Sequence, residues 1–239
     1  MSKRRRKIIY LVTMLVALLA VAGAVGYGAS LPKSPDSDVV AEVHDEEVVV
    51  LVHGMGRTEF SMLSLAWTLE RQGYEVVNWG YSSTCCSVDE LSDKLSAELR
   101  DIEKTNPTKI HFVGHSLGNI IVRSAINDAP PAQEGRIVML APPNDGAEVA
   151  DRYVEYVGWL LEPLEDLTTD EDSTVRTLPP LQDRDVAVIA GRFDGKVAVE
   201  ETHQVGASAR EVVPAAHTFI MNRPDVHHLV VQFLESGEF

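Results

Sequence analysis

The chain has 239 residues, 45% of them hydrophobic, and a formal net charge of −15. Such a length and apolar fraction suit one globular domain with a sizeable core. The negative balance argues against nucleic acid as a partner, whose phosphates would be repelled, and disfavours polyanionic substrates.

At the N-terminus, Lys3-Arg4-Arg5-Arg6-Lys7 precede an uncharged stretch rich in Leu, Val and Ala, from Ile8 to Ala29. About 20 such residues suffice for a helix to cross a bilayer, whereas a cleaved signal has an apolar region of about 7–15. Residues 1–30 therefore read as an uncleaved membrane anchor. Small residues near Gly26, Gly28 and Ser30 keep open a cleaved signal, which would release a secreted protein. Basic residues before the span, and Asp36, Asp38, Glu42, Asp45, Glu46 and Glu47 after it, predict a cytoplasmic N-terminus and export of the rest of the chain. Removing the five basic residues from −15 leaves −20 on the exported part. Residues 31–46, with Pro32, Ser34 and Pro35, read as a polar linker.

From residue 47 onward, strands and helices alternate. Val48 to Val52 is a nearly continuous apolar strand, the pattern of a parallel sheet covered on both faces. Met62, Leu65, Ala66 and Leu69 share one face of a helix over Ser61–Gln72, which Gly73 ends. Glu75–Trp79 reads as a strand and Val88–Lys104 as a helix. Between them, Cys85 and Cys86 are the chain's two cysteines. A bond between neighbours would be strained, so they read as two thiols, with a bridge to another chain as the alternative. Then come a strand at Ile110–Val113, a helix to about Asn127, and strands at Arg136–Leu140, Val186–Ala190 and Glu211–Val213. Pro224, suited to a first helical position, opens a last helix through about Leu234. The alternation predicts a mainly parallel α/β domain over 47–239, with a sheet of about six strands. Residues 146–185 break the pattern and read either as a small lid over the site or as an irregular surface excursion.

Gly114-His115-Ser116-Leu117-Gly118 follows one strand directly and opens a helix. This is G-x-S-x-G in strand–turn–helix context, where a serine hydroxyl is exposed on a tight turn. A serine nucleophile needs a base, an acid and an oxyanion site, all at the carboxyl ends of strands. Leu117 puts its amide at a helix N-terminus. His53-Gly54-Met55-Gly56 follows the first strand and offers the Met55 amide as a second donor, His53 itself being read as a turn residue. With the order Ser, acid, His, the base is His217, on a loop after the last strand, ahead of His203, His227 and His228. The acid is Asp194, in Phe193-Asp194-Gly195, with Asp145 as the alternative. The histidines show no zinc spacing, so no metal and no cofactor is expected.

Five segments resemble the α/β-hydrolase superfamily, and within it small bacterial lipases and esterases. They are Leu51-Val52-His53-Gly54-Met55-Gly56-Arg57-Thr58, Phe112 to Gly118, Ala141-Pro142-Pro143-Asn144-Asp145-Gly146, Asp194-Gly195-Lys196-Val197 and His217-Thr218-Phe219. The resemblance implies an α/β-hydrolase fold, a Ser116–His217–Asp194 triad and the Met55 and Leu117 amides as oxyanion donors. It favours Asp194 over Asp145. The chain departs from the pattern in following Gly118 with Asn119, where a second glycine is common. The expectation is a membrane-tethered serine hydrolase of small-molecule or lipid esters. Rival readings are an acyltransferase, thioesterase or lipid deacylase on the same triad, and a catalytically silent binding module.

Overall fold

A computed structural model describes His44 and residues 46–239 of the protein. The anchor expected over 1–30 and nearly all of the linker expected over 31–46 lie outside the described residues. Among the described residues, no helix is long and apolar enough to cross a membrane.

Six strands form one sheet: β1 (Glu47–Val52), β2 (Glu75–Trp79), β3 (Lys109–His115), β4 (Glu134–Leu140), β5 (Val186–Gly191) and β6 (Ala209–Val213). Their order is β2-β1-β3-β4-β5-β6, and each neighbouring pair is parallel. The strand period of two splits β1 between two cores. Val48, Val50 and Val52 point to one face and Val49 and Leu51 to the other, all fully buried or nearly so. Each such side chain contributes about 1.5–3 kcal/mol by leaving water.

Two helices cover the Val49 face: α1 (Leu63–Arg71), through Leu65 and Leu69, and the C-terminal helix (Pro224–Ser236), through Val226, Val230 and Phe233. The other face is covered by α2 (Val88–Glu103) and α3 (Leu117–Asp128). A capping box starts α2: the Ser87 hydroxyl accepts from the Glu90 amide, and the Glu90 carboxylate accepts from the Ser87 amide. The helix expected to begin at Ser61 begins as a 3-10 turn, Glu59–Met62, ahead of α1.

The 146–185 segment is not an irregular excursion. It holds α4 (Glu148–Val157), α5 (Pro163–Asp166) and α6 (Thr174–Thr177); the C-terminal helix is therefore α7. Asp166 accepts from the Val88 amide at the start of α2, at 2.7 Å, and Glu162 donates its amide to Thr84 O. Arg123 of α3, which burial lowers to a pKa of about 10, donates to the carbonyls of Asn144, Leu178 and Pro179. These ties give the segment its fixed course despite its weak periodicity.

The expectation of two thiols is overturned at Cys85 and Cys86, which form a disulfide with each other across one peptide unit, with Cα atoms 3.8 Å apart. The bond lies in the connection between β2 and α2. Among the described residues there is no free cysteine.

Candidate active site

Ser116 lies between β3 and α3, with φ 52° and ψ −124°, a left-handed conformation that a non-glycine residue adopts only when its surroundings enforce it. Here the enforcement is visible. The Ser116 amide donates to Leu140 O at the end of β4. Asn119 donates its side-chain amide both to Ser116 O and to Leu140 O. Asn119 thus has a structural use where a second glycine is common: it ties the turn to the next strand. Gly118 lets α3 rest against β1, for a Cβ there would stand 2.1 Å from Val52 O.

The other two expected residues meet the serine from distant loops. His217 Nε2 is 2.9 Å from Ser116 Oγ, and its Nδ1 is 2.7 Å from Asp194 Oδ2. The carboxylate can only accept, so the neutral imidazole carries its proton on Nδ1. That leaves Nε2 as the acceptor facing the hydroxyl, the tautomer a general base requires. Asp194 is pinned in turn: its Oδ1 accepts from the amides of Lys196 and Val197 at 2.8 and 2.9 Å. The loops bearing acid and base are also stitched to each other, since Phe193 donates its amide to Ala215 O and Arg192 to Val213 O. His217 begins a 3-10 helix, His217–Asn222, rather than sitting on an open loop.

His115, adjacent to the serine, was assigned no role from the sequence. It is buried, and its Nε2 donates to the carbonyl of His217 at 3.0 Å. Burial, and then the charge that His217 would carry, lower its pKa well below the usual histidine value. Its place inside G-x-S-x-G was the one available signal.

The loop after β1 approaches the nucleophile closely. A Cβ on Gly54 would stand 2.8 Å from His115 Nδ1 and 3.1 Å from Ser116 Cβ, so only glycine fits. Met55 lines the same cavity as Ser116. Among the described residues, neither the Met55 nor the Leu117 amide donates to a backbone acceptor. His53 does not reach the serine. Its Nδ1 donates to Gly54 O, its ring stacks on Tyr81 at 4.2 Å, and Tyr81 Oη donates to His53 O.

Asp145 is not brought to the triad; it pairs with Arg176 at 3.4 Å. His227 bonds Thr68 and the carbonyl of Met221, and His203 lines a separate cavity. The cavity before Ser116 has a volume of about 90 Å³. Ala147, Ala150, Leu164 and Leu167 of the 146–185 segment wall it on one side, and Arg57 and Lys196 add two cations.

Comparison with known proteins bears on the fold and on the segment that carries the serine turn. A family model described as "Putative serine esterase (DUF676)" matches residues 43–144, a stretch that includes the β1 loop and the serine turn. No curated protein matches the chain. Among solved structures, the mature form of Bacillus licheniformis lipase BlEst2 superposes with a TM-score of 0.62 at 16% identity, over 88% of this chain and 96% of that one. Lipase B of Aspergillus fumigatus gives 0.64 at 15%, over 80% of this chain and 52% of its own. A thermophilic esterase from Thermogutta terrifontis gives 0.56 at 14%, over 82% and 92%. Residues 43–144 thus match a family described as serine esterases, and the parallel sheet with its serine turn gives the chain an α/β-hydrolase fold.

Proposed function

We propose that the protein is an exported, membrane-tethered serine hydrolase of carboxylic esters. The observation that carries this reading is the unbroken hydrogen-bond chain Asp194–His217–Ser116 facing a cavity. The names of the similar structures, lipases and an esterase, point the same way.

In the reaction, His217 Nε2 takes the Ser116 proton as Oγ attacks the acyl carbon. Asp194 holds the imidazole in register and stabilises the imidazolium that forms. The Met55 and Leu117 amides hold the oxyanion; losing one such donor typically costs on the order of 3 kcal/mol in the barrier. His217 then protonates the departing alcohol. Water, deprotonated by the same imidazole, releases the acid and regenerates the serine. The small, apolar-walled cavity suits a short acyl group. The tether is supported by the basic cluster Lys3–Lys7 and the uncharged stretch from Ile8 to Ala29.

Ester hydrolysis and fluorophosphonate labelling of wild type and Ser116→Ala test the proposal together. Wild type is expected to hydrolyse short aryl esters and to label at Ser116, and the variant to do neither while remaining folded. A variant with wild-type activity ends the assignment.

A further inference from the structure

Arg57 and Lys196 both line the cavity that holds Ser116 and His217. In a chain of net charge −15, this concentration of positive charge at the nucleophile runs against the molecule's average. Arg57 follows the Met55 turn and is half-buried; its amide donates to Gly54 O and its carbonyl accepts from Ser83 Oγ, so the loop bearing it is fixed. Lys196 is exposed, and its amide is tied to the carboxylate of Asp194. Among the described residues, neither side chain has an ion pair or a hydrogen bond. Burial lowers the pKa of both groups. For Lys196, repulsion from Arg57 lowers it further, against the pull of Asp194.

Two like charges lining one cavity, half-buried Arg57 and exposed Lys196, repel each other, and neither is paired in a salt bridge among the described residues. An anion placed between them offsets that repulsion. Asp194 offsets part of this repulsion at Lys196, but its oxygens are held by His217 and by the Lys196 and Val197 amides, so it does not bridge the two cations. We infer that the site takes esters carrying an anionic group, carboxylate or phosphate, a few atoms from the scissile carbonyl, with Arg57 and Lys196 as the residues that select them. This rests on the hydrolase reading and narrows its substrate class. The acidic surface does not forbid it: exposed charges beyond about 10 Å are largely screened at ordinary salt, and a small monoanion is repelled far less than a polyanion.

The test compares kcat/KM for matched ester pairs within each protein. One pair is soluble, 4-nitrophenyl hydrogen glutarate against 4-nitrophenyl pentanoate. The other is lipid, monoacylglycerol phosphate against monoacylglycerol. Wild type should prefer the anionic member of at least one pair by about tenfold at low salt, less at high salt. The Arg57→Gln/Lys196→Gln double variant should lose that preference. A preference in the soluble pair alone identifies small anionic esters; one in the lipid pair identifies a headgroup. Hydrolysis with no preference in either pair overturns the inference and leaves the hydrolase reading standing. If no ester is cleaved, that reading fails, and calorimetry of hexyl phosphate with Ser116→Ala decides. Binding that the Arg57/Lys196 substitutions abolish upholds the cationic site, and no binding overturns it.

Discussion

The imidazole of His115 donates through Nε2 to the backbone carbonyl of His217 at 3.0 Å, so the residue before the nucleophile holds the residue that bears the base. The two rings lie 4.9 Å apart, yet they cannot exchange roles, because burial keeps His115 neutral. A neutral donor fixes the carbonyl without competing for the serine proton. His115→Leu, which lacks a donor, should lower kcat by about tenfold, one ordinary hydrogen bond's worth, with KM little changed. His115→Gln, which can still donate, should recover part of the loss. Equal kcat in the two variants would remove the positioning role.

Asp194→Asn tests the acid separately from the fold. The change is nearly isosteric but removes the charge that orients the Nδ1 proton. The equivalent loss in a Ser-His-Asp triad is on the order of 10⁴ in kcat. Asp145→Asn, at a residue paired with Arg176, should cost little by comparison. Near-wild-type turnover by Asp194→Asn would move the acid elsewhere.

Two glycines separate stability from chemistry. Gly118→Ala drives a Cβ to 2.1 Å from the backbone oxygen of Val52, which has no flexible end to give way. It should destabilise the protein by about 2–4 kcal/mol or prevent folding, as read by denaturant midpoint. Gly54→Ala instead presses on His115 Nδ1 and Ser116 Cβ. It should reduce activity by more than its effect on the denaturant midpoint accounts for. A Gly118→Ala protein as stable as wild type would contradict the close packing of α3 on β1.

Acid should loosen the fold. His53, His111, His115 and His227 all have pKa values lowered by burial from the ordinary 6.5. The unfolded chain therefore binds protons on these rings before the native state does. Stability is complete above about pH 6.5 and is lost as pH falls toward the lowered native values. Each ring contributes up to about 1.4 kcal/mol per pH unit within that window. Thermal midpoints taken from about pH 8 down to about pH 5 should decline; a flat or rising profile would refute the account.

The β3–Ser116–α3 unit could be read from the sequence because the apolar run, the glycines and the helix were contiguous. All six strands have their ends within two residues of the expected bounds, the inner ones because strands buried on both faces announce themselves as runs of Val and Ile. Less was visible where an element depends on distant partners. The helices over 148–177 owe their course to Arg123 and Asp166 contacts that no local period encodes. The positioning role of His115 arises only when His217, far along the chain, arrives beside it. The Cys85–Cys86 bond runs against the expectation from adjacency, since sequence spacing does not show which way the two side chains turn in the connection between β2 and α2.

The sheet order has a consequence for how function fails. Ser116 follows β3, in the interior of the sheet, whereas His217 follows β6, one of its two edge strands, which among the described residues pairs with β5 alone. Outer strands detach at lower free energy than inner ones. Under mild denaturant, turnover should disappear while most of the far-ultraviolet dichroism persists, because peeling away one border of the structure already separates proton acceptor from alcohol.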